Sequence, residues 1–245
     1  MSSTSFDWAA VFVASVSVLA AMLHCSPSSS GGARQSQEVL PASSRETTAL
    51  PRPQRDGEVS LERAIDSRRS VRSFSTRALS LEQAGQLLWA AQGRPSGEDT
   101  RRTAPSAGAT YPLETYLVSF AVTGLETGVY KYDPASHALT MVQRGDVRDG
   151  LLDAALRQRS IQTAAAMIVM TGVFDRTTQR YSDRGERYVH MEAGHAAQNA
   201  HLQASALGLG MVPIGAFHDA AVRQVLRLST DEVPLYLLPV GRLEG

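Results

Sequence analysis

Ala164-Ala-Ala-Met-Ile-Val-Met-Thr-Gly-Val-Phe174 is apolar almost without interruption. A strand wetted on one face alternates apolar and polar residues, whereas an unbroken apolar strand is covered on both faces. The stretch therefore predicts a central strand with helices packed above and below it. Thr115–Val122 (TYLVSFAV), rich in β-branched and aromatic residues, predicts a second strand. Val129–Tyr132 and Ala138–Gln143 flank Asp133-Pro-Ala-Ser136, whose turn chemistry predicts a hairpin, and Leu235–Val240 predicts a last strand.

Helical signals lie between these strands. Ser60 is placed to cap a helix over Leu61–Ser67. Ser80-Leu-Glu-Gln83 is a capping box opening a helix through Gln92, with Leu81, Ala84, Leu87 and Leu88 on one face. Further helices are expected over Val147–Arg157, Tyr181–Leu207 (stopped by Gly208 and Gly210) and Asp219–Leu226. Mixed strands and helices, a hairpin and no internal repeat predict an α+β fold: a mostly antiparallel central sheet flanked by helices.

The chain has 245 residues, 43% of them hydrophobic, enough for one domain and an appendage. Lys+Arg and Asp+Glu both number 24, a neutral balance that argues against a nucleic-acid partner. The basic residues are nearly all arginine, which suits bidentate recognition of phosphate and carboxylate. A single cysteine, Cys25, excludes an intrachain disulfide and a cysteine-based metal cluster.

Cys25 follows an apolar run, Trp8–Leu23, and precedes the low-complexity stretch SPSSSGGARQSQ. Apolar core, cysteine and tether resemble a lipoprotein export signal with a membrane anchor at Cys25. Asp7, His24 and the lack of an early Lys or Arg depart from that pattern. An uncleaved anchor and a mis-assigned start are the other two readings, the last leaving the protein cytoplasmic. The expected organisation is a signal or anchor segment over 1–25, a disordered linker over 26–57 and a folded domain over 58–245.

Four segments carry candidate chemistry. Arg68-Arg-Ser-Val-Arg-Ser-Phe74 offers three guanidinium groups and serine hydroxyls with no acid after Asp66, a set that suits a phosphate ester. The alternative is a solvated basic turn. Pro105-Ser-Ala-Gly-Ala-Thr-Tyr-Pro112 is a rigid small-residue loop that could lie flat on a planar ring, or simply connect two elements. Gly208-Leu-Gly-Met-Val-Pro-Ile-Gly-Ala-Phe217 combines a helix C-cap with a segment open to close backbone approach. It lacks the Lys-Ser/Thr of a phosphate loop and follows a helix, which excludes the dinucleotide fingerprint. Arg242, late in the chain, could meet the phosphate of the first segment or lie on the surface. His190, His195 and His201 share a helix without the i, i+4 spacing of a zinc pair, and Glu192-Ala-Gly-His195 is a single Glu-x-x-His. No metal site is expected, and no side chain stands out as a catalytic acid or base.

The ordered set RRSVRSF, PSAGATYPLE, RYVHMEAGHAAQNAHLQASALGLG with PIGAF, and PVGR resembles the nitroreductase family of FMN flavoproteins. The resemblance spans about residues 58 to 245. PSAGATYPLE and EAGHAAQN lean toward the branch that oxidises azolines to thiazoles and oxazoles. The resemblance implies a nitroreductase-like fold and an intertwined homodimer with FMN at the subunit interface. It assigns Arg68, Arg69, Ser70 and Arg72 to the FMN phosphate and ribityl chain, with Arg72 also reaching toward the ring edge, and Arg242 to completion of the phosphate pocket. Pro105, Ser106, Ala107 and Gly108 would touch the isoalloxazine ring from the partner subunit. Pro213, Ile214, Gly215 and Ala216 would lie beside the ring, with a backbone N–H toward its N5.

It further implies hydride transfer through N5 from NAD(P)H to a small organic acceptor. An FMN-dependent oxidase of a peptide azoline or other small molecule is the alternative, and a non-catalytic flavin-binding protein a lesser one. Two positions depart from the family pattern. Gly215 stands where several members carry an acid, and the adjacent pair Lys131-Tyr132 sits in a predicted hairpin strand, not where the azole-forming enzymes hold their Lys-Tyr pair.

Overall fold

The strand predicted at the centre is central. The computed structural model describes residues 46–95 and 101–244. In it β1 (Thr47–Ala49), β2 (Leu113–Ser119), β3 (Gly128–Asp133), β4 (Ala138–Arg144), β5 (Ala166–Gly172), β6 (Leu209–Met211) and β7 (Val233–Arg242) form one sheet. Their order is β1-β4-β3-β2-β5-β7-β6, and every paired neighbour is antiparallel. All residues of β5 are buried.

Side chains alternate across the sheet with the two-residue period of extended backbone. Leu117, Ile168 and Leu238 enter one core with α2 (Leu81–Gln92) and α6 (Arg184–Ala206). Tyr116, Val118, Met167 and Val169 enter a second core with α3 (Arg148–Ala154), α4 (Arg159–Thr163) and α7 (Asp219–Leu226). The result is a three-layer α+β fold. Ala193, Ala196, Ala197, Ala200 and Ala204 are buried along α6 and let it lie close to the sheet and to α2.

Both predicted caps form. Ser60 accepts from the Arg63 N–H at the start of α1 (Leu61–Ser67), and Ser80 and Gln83 make a complete capping box on α2. Asp133 accepts the Ala135 and Ser136 N–H groups inside the hairpin turn.

Several elements differ from expectation: β2 lies two to three residues earlier than Thr115–Val122, β7 is longer than Leu235–Val240, and β6 and α4 are additional. The helix expected over Tyr181–Leu207 is α6, which begins only at Arg184; an unexpected helix, α5 (Asp175–Tyr181), precedes it, and a φ of 49° at Ser182 separates the two. The helix expected over Val147–Arg157 ends at Ala154, because Leu156 and Arg157 take left-handed backbone. The linker expected to run to residue 57 is folded from the first described residues. Thr47–Ala49 pairs with Thr140–Ala138, Leu50 is buried, and Gln54 exchanges two hydrogen bonds with Gln86. Backbone pairing needs no apolar period, so this edge strand left no hydrophobic signal. The readings of Trp8–Leu23, Cys25 and the stretch to residue 45 lie outside the described residues. No helix among the described residues is long and apolar enough to cross a membrane.

Candidate functional site

The arginine segment leaves α1 at Arg68 and runs along the outer side of β6. Ser70 bridges to Met211, the Val71 N–H donates to the Met211 carbonyl at 3.0 Å, and the Ser75 N–H donates to the Arg242 carbonyl at 3.0 Å. Two glycines admit its apolar side chains. A Cβ on Gly210 would stand 2.7 Å from Val71 Cγ1, and one on Gly241 would stand 2.7 Å from Phe74 Cβ. Gly210 and the glycine of PVGR are thus packing devices. With Val71 and Phe74 turned inward, Arg68 is half-buried and Arg69 and Arg72 are exposed.

Among the described residues none of these three arginines has an acidic partner. Arg69 Nε reaches only the Ser67 carbonyl and Arg72 Nη1 only the Ser70 carbonyl. Behind them, His201 Nε2 contacts the Arg69 carbonyl at 3.1 Å. Burial, with the nearby Arg68 charge, holds His201 below its ordinary value, so it is neutral and its Nε2–H donates to that carbonyl. Ser73 Oγ donates to Glu244 at 2.6 Å on the same segment, but among the described residues the three guanidinium groups form no ion pair, and together they make a donor set that fits a phosphate monoester.

Val212–Ala216 continues beside β7. Ile214 is buried and exchanges backbone hydrogen bonds with Leu237 at 2.8 and 3.0 Å. Gly215 and Ala216 are exposed, and no backbone carbonyl among the described residues accepts their N–H groups. A Cβ on Gly215 would meet nothing within 4 Å. A flat ring could approach this backbone without obstruction. Arg242 behaves differently: its guanidinium donates to the Ala78 carbonyl at 3.0 Å and to Gln83 Oε1 at 3.2 Å, tying the end of β7 to the cap of α2.

Pro105–Tyr111 stands apart from these segments. Ser106 Oγ accepts the Tyr111 N–H at 2.9 Å, Thr110 and Thr177 share a hydroxyl contact at 2.8 Å, and Arg180 Nη1 donates to the Gly108 carbonyl at 3.2 Å. Gly108, Ala109 and Tyr111 have φ of 59°, 54° and 46°. For the two non-glycine residues this backbone costs on the order of 1 kcal/mol each, the kind of strain that collects at functional loops. The loop rests on α5 and on α6 near Glu192, whereas the Arg69 carbonyl is held by His201, about 13 Å further along α6 at the helical rise. One chain thus brings Arg68–Arg72 and Val212–Ala216 to a common edge and leaves Pro105, Ser106, Ala107 and Gly108 elsewhere.

Residues 65–242 match the model of the nitroreductase family. The chain belongs to the nitroreductase family. It is 45% identical over 185 residues to a nitroreductase-family protein of Methanocaldococcus jannaschii, covering 76% of this chain and 92% of that one. A nitroreductase-family crystal structure from Anabaena variabilis superposes with a TM-score of 0.68 at 32% identity, over 75% of this chain and 38% of that chain. This chain thus corresponds to well under half of the Anabaena protein. The Escherichia coli microcin synthetase McbBCD complex, with truncated pro-MccB17 bound, matches with a TM-score of 0.64 at 26% identity, over 81% of this chain and 79% of that one. The nitroreductase-like α+β fold follows from these likenesses together with the sheet and helices described above.

In this nitroreductase-family oxidoreductase, sequence reading missed three polar groups. Glu192 is 2% exposed and faces the Pro105–Tyr111 loop, while His195 of the same Glu-x-x-His is exposed. The available signal was a carboxylate inside the alanine stripe of α6. Glu232 is buried and accepts from the Tyr116 and Thr171 hydroxyls at 2.9 and 2.6 Å. Lys131 pairs with Glu114 and Glu232 at 3.2 and 3.4 Å, which commits it to holding strands together. His201, the third, was read only as part of a failed metal pattern. Among the described residues no group of three or more His, Cys, Asp or Glu could hold a metal ion. The Asn199 amide donates to the Thr103 backbone carbonyl at 3.2 Å. A groove of about 1000 Å³, lined by Arg55, Gly57, Trp89, Leu202 and Gln203 among others, contains none of the sequence-predicted site residues.

Proposed function

We propose that this protein is an FMN-dependent oxidoreductase that carries hydride from NAD(P)H to a small organic acceptor. The observation that carries the reading is the edge where Arg68, Arg69 and Arg72, without ion-pair partners among the described residues, lie beside the open backbone of Gly215 and Ala216. Bound FMN would supply the redox chemistry, taking up and releasing hydride at N5. Arg68, Arg69, Ser70 and Arg72 hold the phosphate and ribityl chain through charge-assisted hydrogen bonds. Arg72 also lies toward the ring edge, where its fixed charge stabilises negative charge during turnover. Pro213, Ile214, Gly215 and Ala216 would provide a flat wall beside the ring, with the N–H groups of Gly215 and Ala216 as its donors, since that of Ile214 is committed to the Leu237 carbonyl.

Pro105, Ser106, Ala107 and Gly108 complete the pocket from a second copy of the chain. Their separation from the arginines within one subunit supports that homodimeric arrangement. Arg242 serves the fold, through Ala78 and Gln83, more directly than the phosphate. A second reading, dehydrogenation of a peptide azoline, is favoured by the likeness to the microcin synthetase complex. Against it, Lys131 is held by Glu114 and Glu232 and is not poised to remove a proton.

The test is purification of the whole chain, its flavin absorbance spectrum, and bleaching by NADH or NADPH without oxygen. Flavin lost in Arg68→Ala, with wild-type bleaching by a nicotinamide, supports the reading. An Arg68→Ala protein that keeps a full complement of flavin counts against it. Oxygen consumption without nicotinamide oxidation favours the second reading.

A further inference from the structure

The reaction outlined above leaves Glu192 unused. It lies midway along α6 in the stripe of buried alanines, and its Oε1 is buried without a hydrogen-bond partner. Enclosing an ionised carboxyl in this way is unfavourable. Burial pushes Glu192 up to about 7, against weaker pulls from Ser106, Arg102 and Gln92.

The neighbours come from several elements. Gln92 belongs to α2, and its buried Nε2 is also unpartnered. Arg102, half-buried in the segment before the loop, has its guanidinium carbon 5.4 Å from the centre of the Tyr111 ring and a buried Nη1 without a partner. Arg94, Tyr111, Tyr132 and Asp133 are the charged and titratable groups around Arg102. Ser106, from the loop, accepts the Tyr111 N–H that closes it. On α6 itself the nearest titratable groups along the helix are His190, His195 and Tyr188; the two histidines are exposed and Tyr188 is half-buried.

Glu192 and Arg102 therefore approach the same strained loop, one through Ser106 and the other through Tyr111. The loop takes left-handed backbone at Gly108, Ala109 and Tyr111 and has little apolar packing to hold it there. Its path depends on polar contacts, and Glu192 is the buried one among them with a removable proton.

We propose that Glu192 is a positioning residue for Pro105–Tyr111: ionised, it accepts from the Ser106 hydroxyl and attracts Arg102, holding the loop in its left-handed path, and protonated, it weakens both contacts and slackens the loop. The proton passes between the carboxyl and solvent, and no other group changes charge. That the loop meets a flavin ring rests on the function proposed above; the coupling of Glu192 to the loop does not.

The experiment follows the backbone amide resonances of Ala107, Gly108 and Ala109 in the full, flavin-free chain between about pH 5 and pH 9. One inflection near 7 in the wild type, lost in Glu192→Gln while the amides of β5 stay unchanged, supports the proposal. A flat wild-type profile, or the same inflection in Glu192→Gln, overturns it. Arg102→Gln gives a second reading should Glu192→Gln fold poorly. Removing the cation that favours the ionised carboxyl moves the inflection upward by about half a pH unit or more, and an unmoved inflection overturns the proposal. In flavin-loaded protein the pH profile of kcat flattens in Glu192→Gln with little change in KM. A chain that binds no flavin defeats the proposed function, while the loop titration still decides the role of Glu192.

Discussion

The arginine edge and the Pro105–Tyr111 loop are built by opposite means. The edge is held from its apolar side, with Val71 seated on Gly210, Phe74 on Gly241, and backbone pairs to Met211 and Arg242. Its arginine side chains are half-buried at Arg68 and exposed at Arg69 and Arg72. The loop has no such backing. Side-chain hydroxyls, the Arg180 contact and a buried carboxyl hold it in a backbone path that two of its non-glycine residues disfavour. Rigid packing fixes the half of the proposed site expected to meet a constant charge. Polar contacts sensitive to protonation fix the half expected to meet a ring.

The largest expected effect breaks the first half. Arg68→Ala combined with Arg72→Ala removes two charge-assisted contacts and weakens flavin binding by at least about 3 kcal/mol, two decades or more in Kd. Equilibrium titration with FMN checks this, and the melting temperature of the flavin-free protein should barely move, since neither guanidinium joins the core.

The next effect belongs to the loop's carboxyl. Glu192 is raised from 4.5 to about 7 in the folded chain, so folding takes up a proton between those values. Its contribution to stability is full at low pH and is lost as pH rises toward 7, in total about 3 kcal/mol. Urea unfolding of wild type and Glu192→Gln across that range should show the difference in slope, and parallel curves would remove Glu192 from the account.

Gly108→Ala is smaller. The position has φ +59°, and a Cβ there would stand 2.5 Å from the Tyr181 hydroxyl. A cost of about 1–2 kcal/mol in thermal unfolding is expected, with loop resonances displaced and those of β6 unchanged. Gly215→Ala sets the lower end. No atom lies within 4 Å of the added methyl, so stability should change by less than about 0.5 kcal/mol. A fall in flavin affinity without a fall in melting temperature would show that the ring needs bare backbone at this point.

Much of the fold was legible because its strongest elements carry local signals. The unbroken apolar run of β5, the capping box at Ser80 and Gln83 and the Asp133 turn each state their structure within a few residues. The strand before Leu50 was not legible, since its pairing with β4 runs through backbone groups that any sequence supplies. The short helix α5 was hidden as well: the helical pattern was legible only from Tyr181 onward. At the site, residue types identified the arginines and the open Gly215 backbone. The commitment of Arg242 to α2 and of Lys131 to Glu114 and Glu232 appears only once distant strands are brought side by side. Glu192 lay between the two cases, a charge on an alanine stripe that spacing alone presented as half of a metal motif.

The seam between residues 70 and 211, and between 75 and 242, bears on when the site comes into being. Contacts so far apart in sequence close slowly, because the intervening chain must be ordered before they yield any return. On a ribosome, Arg68–Arg72 emerge early but have no strand to lie against until Met211 and then Arg242 follow. The proposed anion-binding edge is thus among the last features of the domain that a growing chain can complete, and capture of the proposed cofactor would report that the domain has folded.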